Sequence, residues 1–302
     1  MKSTLVQKSF FGVPRAREAN YYVYHDESGA DRRHERFLLQ GALLVPEERW
    51  QWALDLLDKA RGGYRGRIHF VDLRDRTTSL KGQAARAWMD LFFTSLSDFC
   101  PFKCMIADTA STLPQIARFS KPHHLYNYTA MLAIRGAVAW SLKHLQRVHL
   151  SIYSEKASRT VEDNFALYVP TEVARRANLR PAGSAKGPEV VGPIANIILV
   201  EGDPTKVDPS LAGHCEFIQL ADLLTSAVSQ AVTATSAQAI KIDLGRFIAG
   251  WIDDTRLPPW TQAFDLHRRF SVSCFPDAKG GFYDIPLAIT HRGQMPLLDE
   301  EQ

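Results

Sequence analysis

The sequence predicts one mixed α/β domain, and three observations carry that prediction. Two runs rich in aromatic and β-branched or other apolar residues, 20–25 and 37–45, stand near the start of the chain. They end at strong turn signals, Asp26-Glu27-Ser28-Gly29 after the first and Pro46 after the second. Farther along, strand-like segments alternate with helical ones, the pattern of an α/β fold. The length of 302 residues, with 45% hydrophobic and 23% charged residues, suits a chain that buries a sizeable core.

Taken in order, residues 20–25 read as a strand running into a turn, and 37–45 as a second strand. Residues 47–60 carry Trp50, Leu54 and Leu57 at helical spacing and close at Gly62-Gly63. Residues 67–73 read as a short strand, 83–99 as a helix and 102–107 as a strand. Residues 126–145 form a long, mostly apolar helix. A strand at 148–153 is followed by a helix over about 161–177. The segment 178–196 holds three prolines and three glycines among basic residues, which predicts an exposed loop. A strand at 197–200, a helix at 216–232 and a further helix at 245–252 complete the reading. Residues 1–232 are expected to form the main domain, with the basic loop inserted, and 233–302 a C-terminal extension packed on it. No repeat period or heptad is present.

Composition narrows the function. No apolar run is long enough to span a bilayer, so no membrane partner is expected. Met1 to Lys8 has one basic residue near its start and no apolar stretch behind it, so no secretory signal is expected. The four cysteines, Cys100, Cys104, Cys215 and Cys274, are too scattered for a disulfide framework. They are expected to be reduced thiols of a cytoplasmic protein. Net charge is 36 − 33 = +3, but its distribution is uneven. Residues 59–86 hold eight basic residues against two acids, +6 in all, and 173–188 hold Arg175, Arg176, Arg180 and Lys186 with no acid. Such segregation suits a polyanionic partner, with a solvated charged face as the alternative.

Several catalytic motifs are missing: no P-loop, no H-E-x-x-H and no G-x-S-x-G. Cys100 and Cys104 lack the spacing and the second pair that zinc requires, and His123-His124 reads as a loop or the start of a helix before Tyr126, not as a metal site. The carboxylates are more informative. Asp26 and Glu27 sit where a strand ends, a rigid place from which to project an acid, with an ordinary acidic turn as the alternative. Glu155 has the same setting after the strand at 148–153. Asp222 is the single charged residue between Phe217 and Ile240. On a helical projection it shares a narrow stripe with Gln219, Ser226 and Ser229, opposite an apolar face of Phe217, Leu220, Ala221, Leu224, Val228 and Ala231. That pattern suits one wall of a polar cleft, or an Asp satisfied inside the fold.

Three segments together resemble one family: Tyr24-His25-Asp26-Glu27-Ser28-Gly29, Ile68-His69-Phe70-Val71-Asp72-Leu73 and Ile218-Gln219-Leu220-Ala221-Asp222-Leu223-Leu224. It is the domain of unknown function 3800 family, whose members are similar to ribonuclease H-like nucleases. The resemblance implies a mixed five-stranded sheet flanked by helices, with C-terminal additions. It also implies an acid on the first strand, a second on the fourth and another on a later helix. The matching positions are Asp26, Glu155 and Asp222, with Ser154-Glu155 departing from the Asp of the family pattern.

Two-metal phosphodiester hydrolysis agrees with that implication. Two Mg²⁺ or Mn²⁺ ions activate water, neutralise the phosphate and stabilise the leaving oxygen, and such hard ions take oxygen ligands. Asp26 is expected to bridge the ions, Glu155 and Asp222 to hold one each, and Glu27 or Asp72 to add a fourth ligand. Lys81 or His69 is expected to face the scissile phosphate, while Arg175, Arg176 and Arg180 track the backbone of DNA or RNA. The function expected is thus a metal-dependent nuclease. The alternatives are a catalytically inert nucleic-acid-binding module and an enzyme acting on a small phosphorylated molecule. A homodimer is left open.

Overall fold

The strand formed by the first aromatic run lies at the centre of the fold. The computed structural model describes residues 18–29, 36–74, 77–156, 163–179, 187–255, 269–277, 279 and 287–289. Strand β1 (Glu18–Ser28) pairs antiparallel with β2 (Phe37–Pro46), which pairs antiparallel with β3 (Phe102–Asp108). On its other side β1 runs parallel to β4 (Arg147–Glu155). Two short strands, β5 (Glu189–Val190) and β6 (Ile198–Val200), add parallel to the start and the end of β4. Strand β7 (Phe270–Phe275) adds parallel to β3. The result is a mixed, curled sheet of seven strands in the order β5-β4-β1-β2-β3-β7, with β6 beside β4.

Among the described residues, seven α-helices flank this sheet: α1 (Trp50–Ala60), α2 (Leu80–Leu91), α3 (Pro114–Ala117), α4 (Pro122–Ser141), α5 (Phe165–Asn178), α6 (Ala212–Thr233) and α7 (Ala239–Thr255). Alternation along β1 sorts its side chains between two cores. Tyr24 faces a core built with α1, α2, α6 and α7, where Trp88, Leu57, Phe217, Leu224 and Leu244 are buried. Tyr21 and Val23 face the other core, built with α4 and α5 around Ile134, Val138, Phe165 and Val169. The C-terminal elements belong to the same unit, since α7 contributes Leu244 and Ile248 to the first core and β7 extends the sheet.

Helix α6 is buried almost all round, which explains its lack of a charged face. It lies so close to the sheet that a Cβ on Gly41 would fall 1.9 Å from Thr225 Oγ1. Gly41 is the β2 partner of Asp26, so the missing side chain brings α6 down at that register.

Four expectations need correction. The sheet has seven strands where five were implied by the resemblance. Residues 67–73 form no strand: a 3₁₀ turn spans Phe70–Asp72, and the backbone hangs on side chains of α6. Ile68, Phe70 and Leu73 are buried as a strand's apolar residues would be, but the segment docks on a helix. The segment 178–196 is not wholly an exposed loop, because β5 lies in it with Val190 buried and bonded to Asn178 at both its N–H and C=O. The expected helix at 83–99 is α2 followed by a π-helical turn at Phe92–Leu96.

Candidate active site

Parallel pairing of β1 with β4 sets His25 opposite Ser154, so Asp26 and Glu155 follow side by side at the ends of neighbouring strands. Asp26 shares the face of Tyr24, and it is buried, with 4% exposure. Above it lies Asp222, buried in α6 one turn before Thr225. Asp222 Oδ2 accepts the Phe70 N–H at 2.6 Å, and its Oδ1 accepts the Ser226 hydroxyl at 3.2 Å. Gln219, one turn earlier, accepts the Ile68 N–H at 2.6 Å. The polar stripe of α6 therefore clamps the segment 67–72, and that segment carries Arg67 and His69 into the acidic centre.

His69 Nε2 stands 3.6 Å from Glu155 Oε2 and 3.7 Å from Asp222 Oδ1, bridging the two acids. Arg67 donates to Glu155 Oε1 and reaches Asp72 Oδ2 at 4.0 Å. Gly202, just beyond β6, admits this pair: a Cβ there would lie 2.0 Å from Glu155 Oε1 and 2.8 Å from an Arg67 nitrogen. Arg67 Nε and His69 Nδ1 are buried without hydrogen-bond partners.

The charges are unevenly matched. Burial pushes the Asp26 carboxyl well above its ordinary value, and the charges of Asp222, Glu27 and Glu155 push it further. Burial also raises Asp222, against the pull of His69 and of the Phe70 N–H. Burial opposes ionisation of Glu155, yet the His69 hydrogen bond and the Arg67 guanidinium prevail and hold it below the usual carboxylate range. For His69, burial disfavours the cation, but Asp222 and Glu155 outweigh it and raise its pKa.

Of the residues singled out from the sequence, Asp26, Glu155, Asp222 and His69 are gathered here. Asp72 lies at the rim, 43% exposed at its side chain, close enough to act on Glu155. Glu27 pairs with Gln40 and by alternation points to the α4/α5 face, away from the Asp26 side chain. Lys81 stands 5.9 Å over the Tyr64 ring, at the start of α2. Arg175 and Arg176 sit on α5, both paired with Glu172, and Arg180 lies outside the described residues. Sequence reasoning missed Arg67 and Gly202 as members of the site. Arg67 was one of eight basic residues in its stretch, and its one distinguishing mark was its position two residues before His69.

The donor chemistry suits a hard divalent ion, because Asp26, Asp222 and Glu155 offer only carboxylate oxygens. Among the described residues, however, no group of three or more His, Cys, Asp or Glu side chains stands together as a ready ligand set. Glu155 is instead turned to Arg67 and His69. In comparisons with known proteins, the chain matches no family model and no curated protein.

Proposed function

We propose that the chain is a metal-dependent nuclease that hydrolyses phosphodiester bonds of DNA or RNA at the Asp26–Asp222–Glu155 centre. One observation carries the reading. The buried Asp26 carboxylate, at the end of the central strand, faces other acids and has no cationic partner among the described residues. Such a charge is costly unless a cation offsets it. The resemblance to ribonuclease H-like nucleases points the same way, since an acid ends β1, another ends β4 and a third lies on a later helix.

Asp26 and Asp222 would hold Mg²⁺ or Mn²⁺, with Glu155 joining them on release from Arg67. A bound divalent ion supplies a nucleophilic water at neutral pH and neutralises charge on the phosphate. The residues of the chain do the rest. Arg67, once released from Glu155, would meet a phosphate oxygen with its guanidinium fork. His69, whose pKa the two flanking acids raise, would donate to a leaving oxygen. Hydrogen bonds from the backbone of 68 and 70 to α6 keep both groups in register with the acids.

The test is hydrolysis of single-stranded DNA, duplex DNA, RNA and hybrid substrates with Mg²⁺ and Mn²⁺ in parallel. Cleavage by the parent and a loss of several orders of magnitude in Asp26→Asn is the expected result. Equal cleavage by both proteins would sink the assignment. A second reading, a catalytically inert nucleic-acid-binding module, is favoured by the engagement of Glu155 with Arg67 and His69. It predicts metal-independent binding and no cleavage of any substrate.

A further inference from the structure

Glu155 differs from the other acids of the centre in the company it keeps. Its Oε1 accepts from an Arg67 nitrogen and its Oε2 faces His69 Nε2 at 3.6 Å, so basic side chains engage both oxygens. The contact with Arg67 is held from both ends. Glu155 closes β4, beside the end of β1. The Arg67 carbonyl accepts the Tyr64 hydroxyl at 3.1 Å, and the next N–H, of Ile68, donates to Gln219 at 2.6 Å. Gly202 packs so tightly on the contact that a Cβ would fall 2.0 Å from Glu155 Oε1 and 2.8 Å from the Arg67 nitrogen. On its outer side, Arg67 Nη1 stands 4.0 Å from Asp72 Oδ2, on a side chain that is 43% exposed. The guanidinium therefore spans from a partly buried acid of the centre to an acid at its rim.

A guanidinium and a divalent ion seek the same carboxylate oxygens, and two cations crowded onto one carboxylate repel each other. An ion that takes Glu155 must therefore displace Arg67, at the cost of a charge-assisted hydrogen bond. The fork that matches a carboxylate also matches a phosphate, so a phosphodiester can receive the displaced guanidinium. We propose that Arg67 is a latch: an internal cation that competes with the divalent ion for Glu155 and yields when a phosphodiester offers it another anion. The proposal rests on the metal-dependent reading of the centre and adds its regulation. Ion and nucleic acid then raise each other's affinity, because each removes a competitor of the other.

The experiment is calorimetric titration of Mn²⁺ into the full chain without nucleic acid, for the parent, Arg67→Gln, Glu155→Gln and the double variant. Arg67→Gln should bind Mn²⁺ about tenfold to a hundredfold more tightly than the parent, the worth of one hydrogen bond between charged groups. Arg67→Met, which keeps much of the stem, is the second variant should Arg67→Gln not fold, and the same gain is expected of it. In the Glu155→Gln background the gain should vanish to within about twofold, since the latch then has nothing to hold. Dimethyl phosphate, at ionic strength matched with chloride, should tighten Mn²⁺ binding more in the parent than in Arg67→Gln. Asp26→Asn assigns the ion to this centre by abolishing its binding. Equal Mn²⁺ affinity in the parent and Arg67→Gln, with binding lost in Asp26→Asn, would overturn the latch and leave the metal centre standing. A gain that persists in Glu155→Gln would show that Arg67 acts through its charge alone, and equal tightening by dimethyl phosphate in both proteins would remove the phosphate from the exchange. No Mn²⁺ binding by any of the folded proteins would overturn the latch and the metal-dependent reading together.

Discussion

The buried carboxylate of Asp26 carries a thermodynamic signature that is independent of catalysis. Its pKa is raised above the ordinary 3.8, so the folded state holds a proton that the unfolded chain releases. Stability from this group is fully present below pH 3.8 and is lost as pH rises toward the folded pKa. In EDTA at pH 7, Asp26→Asn is therefore expected to be more stable than the parent, with a flatter stability profile between pH 4 and 7. Urea unfolding at several pH values measures this, and a less stable variant at pH 7 would contradict it. His214 has the opposite sign. Trp50 N–H donates to the Tyr24 oxygen at 2.7 Å, and the Tyr24 hydroxyl is bonded to His214 Nδ1 at 2.9 Å, where a neutral imidazole can accept the phenol proton. Burial lowers the His214 pKa from 6.5 to about 4. Stability from this group is thus present above pH 6.5 and is lost as pH falls toward 4. The parent should lose stability more steeply than His214→Phe across that window, and parallel profiles would refute the assignment.

At the scale of elements, the central helix and its strap show what a sequence pattern can and cannot reveal. The lone Asp222 in a stripe with Gln219 and Ser226 was legible as a polar feature of an apolar helix, because helical periodicity needs no tertiary information. What the stripe faces was not legible. Gln219 and Asp222 each accept a backbone N–H from the segment 67–72, replacing the ladder partners that a strand would have had. Periodicity alone made that segment a strand; side-chain acceptors 151 and 152 residues away make it a strap. Strand-terminal acids were likewise legible as candidates, while the pairing that sets Glu155 next to Asp26 depends on a crossover between distant strands. A direct consequence is that Gln219→Leu leaves the Ile68 N–H buried and unpaired. Loss of about 1–3 kcal/mol is expected from such a change. Amide hydrogen exchange should report it locally, with residues 68–72 losing protection more than β1 or β2. Uniform loss of protection across the protein would mean that the strap has no separate identity.

Across the whole molecule, the fold redistributes charge that the sequence places in blocks. The stretch 59–86 counts +6, but Arg61 pairs with Glu216, Arg65 with Asp58, Arg67 with Glu155 and Arg86 with Asp90 and Asp243. The window from residue 173 excludes Glu172 by one position, and that acid takes both Arg175 and Arg176, its own pKa falling to about 2 through those hydrogen bonds. Position compounds the neutralisation. Helix α5 packs on the sheet face opposite Asp26. Asn178, at its end, is tied to Val190, which pairs with Val148 at the start of β4. Glu155 ends that strand seven residues on, about 23 Å away at 3.3 Å per residue. A nucleic acid whose phosphate enters the acidic centre would have to span that distance and reach around to the other sheet face to meet these two arginines. Each phosphate neutralised in a duplex changes the slope of log affinity against log salt by about 0.9. The double variant Arg175→Ala/Arg176→Ala is therefore expected to keep the parent's slope, where two engaged arginines would make it shallower by about 1.8. Binding isotherms at five salt concentrations resolve the difference. A shallower slope would place the polyanion on the α5 face and move the binding surface away from the carboxylates.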